Sequence, residues 1–327
     1  MASIRYRSGK WQARLIRKGY PPVTKTFAKK SDADKWSRQH ESEMDTARYV
    51  SQVEAERTTL GELIDRYIIE VSPTKRGCKD EIIRLKAMKR HSIAHLSMAS
   101  LTSKAVAHYR DERLSVCKPS TVIRDLASLS SLINHSRREW GIAITNPVAQ
   151  IRKPSAPNGR ERILSSEEEA RLMEGLEPTG RKSPYMKPLC LLALETAMRR
   201  GELLALRWTD INWSQRSVYL KMTKNGESRT VPLSIRALAI LKEMPRSIDG
   251  KIFKITIAAL EAAFHRACIR SKIDNFRFHD LRHMATTRLS EKLSNVLELS
   301  AVTGHKELRM LKRYYHPRME DLVRKLD

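Results

Sequence analysis

The sequence predicts a multidomain chain, mainly α-helical with small β-sheets. Three observations carry that expectation. The 327 residues suffice for two or three domains with their own cores. Apolar residues recur at helical spacing over most of the length. The stretches that alternate instead are short and bounded by turn residues.

Residues 1–45 form the first unit. Ile4-Arg5-Tyr6-Arg7, the run from Trp11 to Arg17, and Val23–Phe27 read as three short strands, separated by Ser8-Gly9 and by 18–22, a turn rich in Gly and Pro. A helix capped by Ser31 runs through Lys35-Trp36 towards Met44. The unit holds eleven Lys/Arg against five Asp/Glu. Arg5, Arg7, Arg14 and Arg17 are candidate DNA contacts, because a small basic sheet fits a DNA groove; the alternative is a solvated basic face.

Residues 46–57 are polar and link to a helical domain over 58–150. Leu60, Leu63, Ile64, Tyr67 and Ile68 fall at helical spacing, and a second helix starts near Lys79 with Ile82, Ile83 and Leu85. A third covers 103–114. A fourth opens at Pro119, faces the core with Leu126, Leu129, Leu132 and Ile133, and ends at Trp140-Gly141. The stretch 146–159 is basic and Pro-punctuated, and a domain boundary is placed there. The remainder, 160–327, reads as a mixed α/β domain. Its first helix begins after Ser165-Ser166 with acids in the first turn. Its hairpin is signalled by Asn225-Gly226 between the alternating runs 216–223 and 229–233.

Net charge is +25 and the pI about 10.1. Such an excess concentrates polyanions at the surface, and phosphate neutralisation releases counterions; a ribosomal-type or RNA-coating protein would share that balance. No run of about 18 apolar residues exists, and the N-terminus lacks the apolar stretch of a secretory signal. Cys78, Cys117, Cys190 and Cys268 form no CxxC pair and read as reduced packing residues. The expected location is cytoplasmic, with the nucleoid.

Four stretches carry chemistry. They are Thr196-Ala197-Met198-Arg199-Arg200-Gly201-Glu202; Thr223-Lys224-Asn225-Gly226 followed by Arg229-Thr230-Val231-Pro232-Leu233; Phe278-His279-Asp280-Leu281-Arg282-His283; and Thr303-Gly304-His305 with Arg313-Tyr314-Tyr315-His316 beyond it. Each alone is weak. Lys224 follows Arg199 by 25 residues, His279 precedes Arg282 by three, His305 follows Arg282 by 23, and Tyr314 follows His305 by nine. In this order and spacing they resemble the tyrosine site-specific recombinases of the phage integrase family. The chain is similar both to prophage integrases and to plasmid shufflon DNA-inversion recombinases.

The resemblance is specific over 160–327 and weaker over 58–150, which looks like the family's helical core-binding domain; 1–45 looks like its β-sheet arm-binding domain. It implies a clamp of the last two domains on duplex DNA with inverted half-sites, self-association to a dimer and a tetramer, and an accessory directionality factor as an optional partner. It also implies a site made of Arg199, Lys224, His279, Arg282, His305 and Tyr314, with Tyr315 the competing nucleophile. Alanine at 197 stands where the family has glycine, so the turn is expected to avoid positive φ there.

The chemistry suits those residue types. Two guanidinium forks can hold both non-bridging oxygens of a phosphodiester while charge builds on them. A phenol of ordinary pKa about 10 needs a base or a cationic field to attack, so His279 is the expected base, with nearby arginines depressing the phenol. The leaving 5′ oxygen needs a proton, which a hairpin-tip Lys224 can supply, and His305 is expected to donate to a phosphate oxygen. No cofactor and no metal are called for, since Asp280 alone does not make a magnesium site. Trp140, Trp208 and Trp213 read as packing residues, and His283 and His316 as satisfied neighbours. Met319, Leu322, Val323 and Leu326 form a narrow apolar stripe that packs on its own domain or, as the resemblance favours, on the next protomer. The rival functions are a type IB topoisomerase-like relaxation enzyme and a non-enzymatic DNA-binding regulator.

Overall fold

The computed structural model describes residues 2–20, 22–46, 53–155, 160, 162–178, 183–221, 228–293 and 295–315, with 319, 323 and 326 near the C-terminus. The chain divides into two compact units, Met1–Asn158 and Gly159–Asp327.

Unit one opens with an antiparallel sheet of β1 (Ala2–Arg7), β2 (Lys10–Leu15) and β3 (Val23–Phe27), in that order. Ser8 and Gly9 both take positive φ to make the first turn. Alternation sends Ala13, Leu15 and Val23 to one face, where Leu15 and Val23 pack with Met44 and half-buried Trp36 of α1 (Lys30–Asp45). That helix begins at Lys30 after Lys29, which makes no side-chain cap; Ser31 therefore lies inside the first turn rather than capping it. Asp32 supplies the negative charge that this end favours.

Beyond it lie α2 (Val53–Arg57), α3 (Leu60–Glu70), α4 (Cys78–Lys89), α5 (Ser103–Val116) and α6 (Pro119–Glu139). Thr59 and Glu62 close a capping box on α3. Leu126, Leu129, Leu132 and Ile133 of α6 are fully buried in one core with Leu60, Ile64 and Tyr67 of α3. Pro119 sits at the first position of α6, and Gly141 at φ +67° turns the chain after Trp140. Helix α4 departs from its apolar pattern: Ile83 is exposed, while Glu81 is buried and paired with Lys75 at 2.8 Å.

Unit two contains α7 (Ser166–Gly175), α8 (Met186–Thr196), α9 (Arg200–Ala205), β4 (Ile211–Asn212), β5 (Ser217–Leu220), β6 (Arg229–Pro232), α10 (Ile235–Lys242), α11 (Ile257–Arg270), α12 (Phe278–Lys292) and α13 (Val296–Thr303). Ser165 and Glu168 form the capping box that starts α7. Strands β4, β5 and β6 make a second antiparallel sheet, with Leu220 opposite Arg229. Its tip, 222–227, including Lys224, Asn225 and Gly226, lies outside the described residues. Helix α8 is the buried axis of the unit and packs against α10, α11 and α12, its Leu189, Cys190, Leu192 and Ala193 all closed from solvent. Among the described residues no helix is long and apolar enough to cross a membrane.

Candidate active site

Helix ends and one strand bring the motif residues of unit two together. The turn after α8 places Arg199. The first two turns of α12 carry His279, Arg282 and His283. The end of α13 supplies Thr303, Gly304 and His305, a turn over 311–314 supplies Tyr314, and β6 supplies Arg229.

Ala197 adopts φ +50°, ψ 24° at the C-cap of α8. The left-handed turn is therefore kept without glycine, contrary to expectation. It costs an L-residue roughly 1–2 kcal/mol. That is offset by the full burial of the alanine methyl and by the use of the Ala197 carbonyl as an acceptor for Arg282 Nη1.

Arg199 caps α9 and is held by Glu202. Its amide donates to Glu202 Oε2 at 2.8 Å and its Nη1 to Oε1 at 3.0 Å, while Nη2 donates to the Gly304 carbonyl at 2.8 Å. Arg229 forks onto the same carboxylate with two bonds of 2.8 Å. A buried acid thus stands between two arginines. Burial opposes its ionisation, but the hydrogen bonds from Arg229 and Arg199 outweigh that and hold its carboxyl below the usual range. Gly304, at φ +70°, is required here, because a Cβ at that position would lie 2.8 Å from Arg229 Nη1.

Arg282 is 5% exposed and donates Nη2 to the Thr303 carbonyl at 2.7 Å. The guanidiniums of Arg282 and Arg199 are therefore fixed by consecutive carbonyls of one turn. Burial, then the Arg199 charge, push Arg282 down to about 9, which still leaves it a cation at neutral pH. Its Nη2 also lies 3.4 Å from His305 Nε2. Thr303 Oγ1 donates to Leu299 O at 2.6 Å and so accepts from His305 Nδ1 at 2.7 Å. The proton of His305 is thereby assigned to Nδ1, and Nε2 faces Arg282 as an acceptor. Burial and the Arg282 and Arg199 charges push His305 down to about 3, so it is neutral.

Tyr314 is 9% exposed, with its ring in an apolar cluster with Leu299 and Leu311 and 6.4 Å from the His305 ring. Ser290 Oγ donates to its carbonyl at 2.7 Å. Its hydroxyl is hydrogen-bonded to Nδ1 of His283. Arg313 lies over the Tyr314 ring at 4.9 Å and donates to the same Nδ1 at 3.2 Å and to the Arg160 carbonyl at 2.7 Å. Burial raises the phenol, and the Arg313 and Arg282 charges only partly offset it, so the hydroxyl ends above its usual value rather than below it. Burial, then Arg313, push His283 down to about 4. His279 sits edge-on to His283 with ring centres 5.4 Å apart; partial burial and the Arg282 charge hold it below the histidine range.

The family model described as the phage integrase family matches residues 162–321. A shufflon-specific DNA recombinase of Escherichia coli is 42% identical over 280 residues, 83% of this chain and 72% of that protein. The chain belongs to the phage integrase family. Its fold is similar to a lambda integrase dimer bound to a COC' core site, with TM-score 0.66 at 20% identity over 96% of this chain and 94% of that one. It is likewise similar to the Tn1549 transposon integrase in complex with a circular intermediate DNA, with TM-score 0.66 at 16% identity over 82% of this chain and 98% of that one.

In this integrase-family chain the structure brings Arg199, His279, Arg282, His305 and Tyr314 to one locus; Lys224 lies outside the described residues. Tyr315, the neighbour in sequence, is only partly buried, and the hydroxyl on His283 Nδ1 is that of Tyr314. In unit one, Arg5, Arg7 and Arg14 are exposed on the face of the sheet away from α1, with Lys10 opposite Arg7 and Ser3 opposite Arg14. Arg17 lies past the strand and pairs with Asp45 at the end of α1.

Sequence reasoning assigns no role to Glu202, Arg229, Arg313 or the Arg160–Asp280 pair, whose closest contact is 2.9 Å, and reads His283 as a satisfied neighbour. Two of these had a signal. Glu202 stands three residues after Arg199, and His283 stands four after His279 on the same helix face. Trp208 and Trp213 stack on each other at 6.4 Å against the core, and Trp140 packs edge-on against Tyr67 and His135. Of the tail stripe, Met319, Val323 and Leu326 are exposed, and Leu322 is outside the described residues. Among the described residues no group of three His, Cys, Asp or Glu side chains is placed to hold a metal ion.

Proposed function

We propose that this chain is a site-specific recombinase that cuts and rejoins duplex DNA through a 3′-phosphotyrosine on Tyr314. The carrying observation is the burial of Tyr314 with its hydroxyl on His283, its ring near that of His305, and the Arg282 and Arg313 charges acting on it. A phosphodiester entering there would exchange the carbonyl bonds of the Arg199 and Arg282 guanidiniums for its own charged oxygens, a stronger acceptor. His279 and His305 flank that phosphate. His305 joins as a donor from Nε2 once Arg282 has turned to the phosphate and the Nδ1 proton has been exchanged. Lys224 protonates the leaving 5′ oxygen. The phosphotyrosine conserves the energy of the broken bond, so resealing needs no nucleotide.

The wider reading follows from that chemistry. Residues 58–150 are the core-binding domain, 160–327 the catalytic domain, and 1–45 an arm-type DNA-binding domain whose open face carries Arg5, Arg7 and Arg14. Protomers pair on inverted half-sites and assemble as a tetramer to exchange strands, with a directionality factor where one outcome must dominate. The apolar tail, exposed at Met319, Val323 and Leu326, docks on the neighbouring protomer. Similarity to a shufflon-specific recombinase favours inversion over integration and excision. The test is a pair of plasmids carrying the cognate sites in inverted and in direct orientation. Inversion of the first with little deletion from the second supports the proposal. Relaxation of plasmids lacking the sites would indicate a topoisomerase, and binding without a covalent adduct a regulator.

A further inference from the structure

A phenol that attacks phosphorus must lose its proton, and the group in place to receive it is decided by geometry. The nitrogen that meets the Tyr314 hydroxyl is Nδ1 of His283. Among the described residues no hydrogen bond joins Tyr314 to His279; its ring meets that of His283 edge-on instead.

The protonation pattern of His283 is fixed by a third residue. A guanidinium has donors only. Arg313 Nη2 lies 3.2 Å from Nδ1, so Nδ1 carries the lone pair, the ring proton sits on Nε2, and the Tyr314 hydroxyl donates. Arg313 is itself held by the Arg160 carbonyl at 2.7 Å and rests on the tyrosine ring. It therefore keeps the acceptor nitrogen unprotonated, its one lone pair shared between Arg313 and the nucleophile.

Building on the phosphotyrosine reading above, the geometry points to His283 as the group that takes the Tyr314 proton, with Arg313 as the residue that positions it. In the forward step the bond from Tyr314 Oη to phosphorus forms and the bond to the 5′ oxygen breaks. As Arg313 Nη2 gives up its hydrogen bond to Nδ1, the Oη proton moves to His283 Nδ1, and the 5′ oxygen takes its proton from Lys224. On resealing, the 5′ hydroxyl returns its proton to Lys224 and attacks phosphorus, the Oη–phosphorus bond breaks, and His283 returns its proton to Oη. The charged and titratable groups around the ring are Arg313 from the turn before Tyr314, His279, Asp280 and Arg282 from α12, and His305 after α13. In the free chain burial, and after it the Arg313 charge and the rest of their net positive field, keep His283 neutral and Nδ1 unprotonated. A phosphodiester held between Arg199 and Arg282 offsets that field, raising the basicity of His283 when the substrate is present.

The experiment uses the full chain and a nicked suicide duplex built on the half-sites that it selects from a random-sequence pool, and it reads single-turnover formation of the covalent adduct. His283→Ala and His283→Asn should slow it by roughly 10²–10⁴-fold, the span of a positioned base. The asparagine variant matters most, because its amide oxygen can still accept the tyrosine hydrogen bond but cannot take up the proton. Thermal melting checks that both variants fold. Placing 3,5-difluorotyrosine, a more acidic phenol, at position 314 should restore the rate of His283→Ala at least tenfold and leave His279→Ala unrescued. Wild-type cleavage by His283→Asn, or rescue of His279→Ala in place of His283→Ala, would overturn the assignment. A covalent adduct formed by Tyr314→Phe would overturn the nucleophile itself, an outcome distinct from a fault in the base.

Discussion

Replacing Glu202 by glutamine removes one charge from the centre of a three-residue ion cluster and almost no volume. Glu202 is 7% exposed, and the side chains of its partners Arg199 and Arg229 are 18% and 11% exposed. Losing one member of a buried pair typically costs 3–5 kcal/mol, because the remaining charge is left uncompensated. Here two guanidiniums are left, with Arg282 close by, but glutamine keeps one acceptor oxygen and some water reaches both arginines. A loss of about 3 kcal/mol at pH 7 is expected, or roughly 6–12 °C in the melting of a unit this size. The assay is urea unfolding of the full chain, in which the midpoint should fall with little change in slope. The pH dependence carries its own sign. The folded carboxyl lies below its unfolded value, so the stabilisation is fully present above about pH 4.5 and is lost as pH falls through the folded value. The gap between wild type and Glu202→Gln should therefore be constant from pH 6 to 8 and narrow in acid, below the ordinary carboxyl value of about 4.5. A loss below about 1 kcal/mol at neutral pH, or a gap that does not narrow in acid, would refute the idea that this carboxylate holds the two arginines in place.

Three further outcomes follow from the same geometry. His283 and His305, pushed down to about 4 and about 3, remain neutral in the fold while their unfolded counterparts protonate near pH 6.5. Stability should then fall as pH drops from 6.5 to 4, by on the order of 2 kcal/mol after solvent screening, and calorimetry of His283→Asn with His305→Asn should show a flatter profile. Arg5, Arg7 and Arg14 replaced together by glutamine should weaken DNA binding and flatten its salt dependence by about 0.9 per lost phosphate contact, whereas Arg17→Gln, which removes the partner of Asp45, should change the slope little; equal effects would contradict the placement of the basic face. Leu326→Asp should impair assembly on paired sites, read by sedimentation of the DNA complex, while leaving single-site binding and melting intact; a lower melting temperature would place the tail in the core of its own unit instead.

The helical framework was legible because burial imposes periodicity. Leu126, Leu129, Leu132 and Ile133 repeat at the spacing of one helix face, and all four are closed from solvent. The short strands were legible from alternation and turn residues. Helix α4 was less so: Ile82, Ile83 and Leu85 suggested an apolar face, but Ile83 points outward and Glu81 is buried with Lys75, since an ion pair can occupy a core position that hydropathy assigns elsewhere. Arg199, His279, Arg282, His305 and Tyr314 could be picked out because their order and spacing are distinctive together. What supports them was not legible. Arg229 reaches the site across the fold from a strand, and Arg313, though next to Tyr314 in sequence, meets His283 30 residues away; the local sequence of neither carries a trace of its distant partner. The conformation of Ala197 was misjudged because a residue-type preference of 1–2 kcal/mol is small beside a carbonyl acceptor for a buried arginine.

In the proposed chemistry Tyr314 becomes covalently joined to DNA. The direct measurement is mass spectrometry of the protein trapped on a nicked suicide duplex, with fragmentation that separates Tyr314 from Tyr315. A nucleotide adduct is expected on Tyr314 in the wild type and should disappear in Tyr314→Phe, with DNA binding retained. An adduct on Tyr315, or on any other residue, would contradict that chemistry.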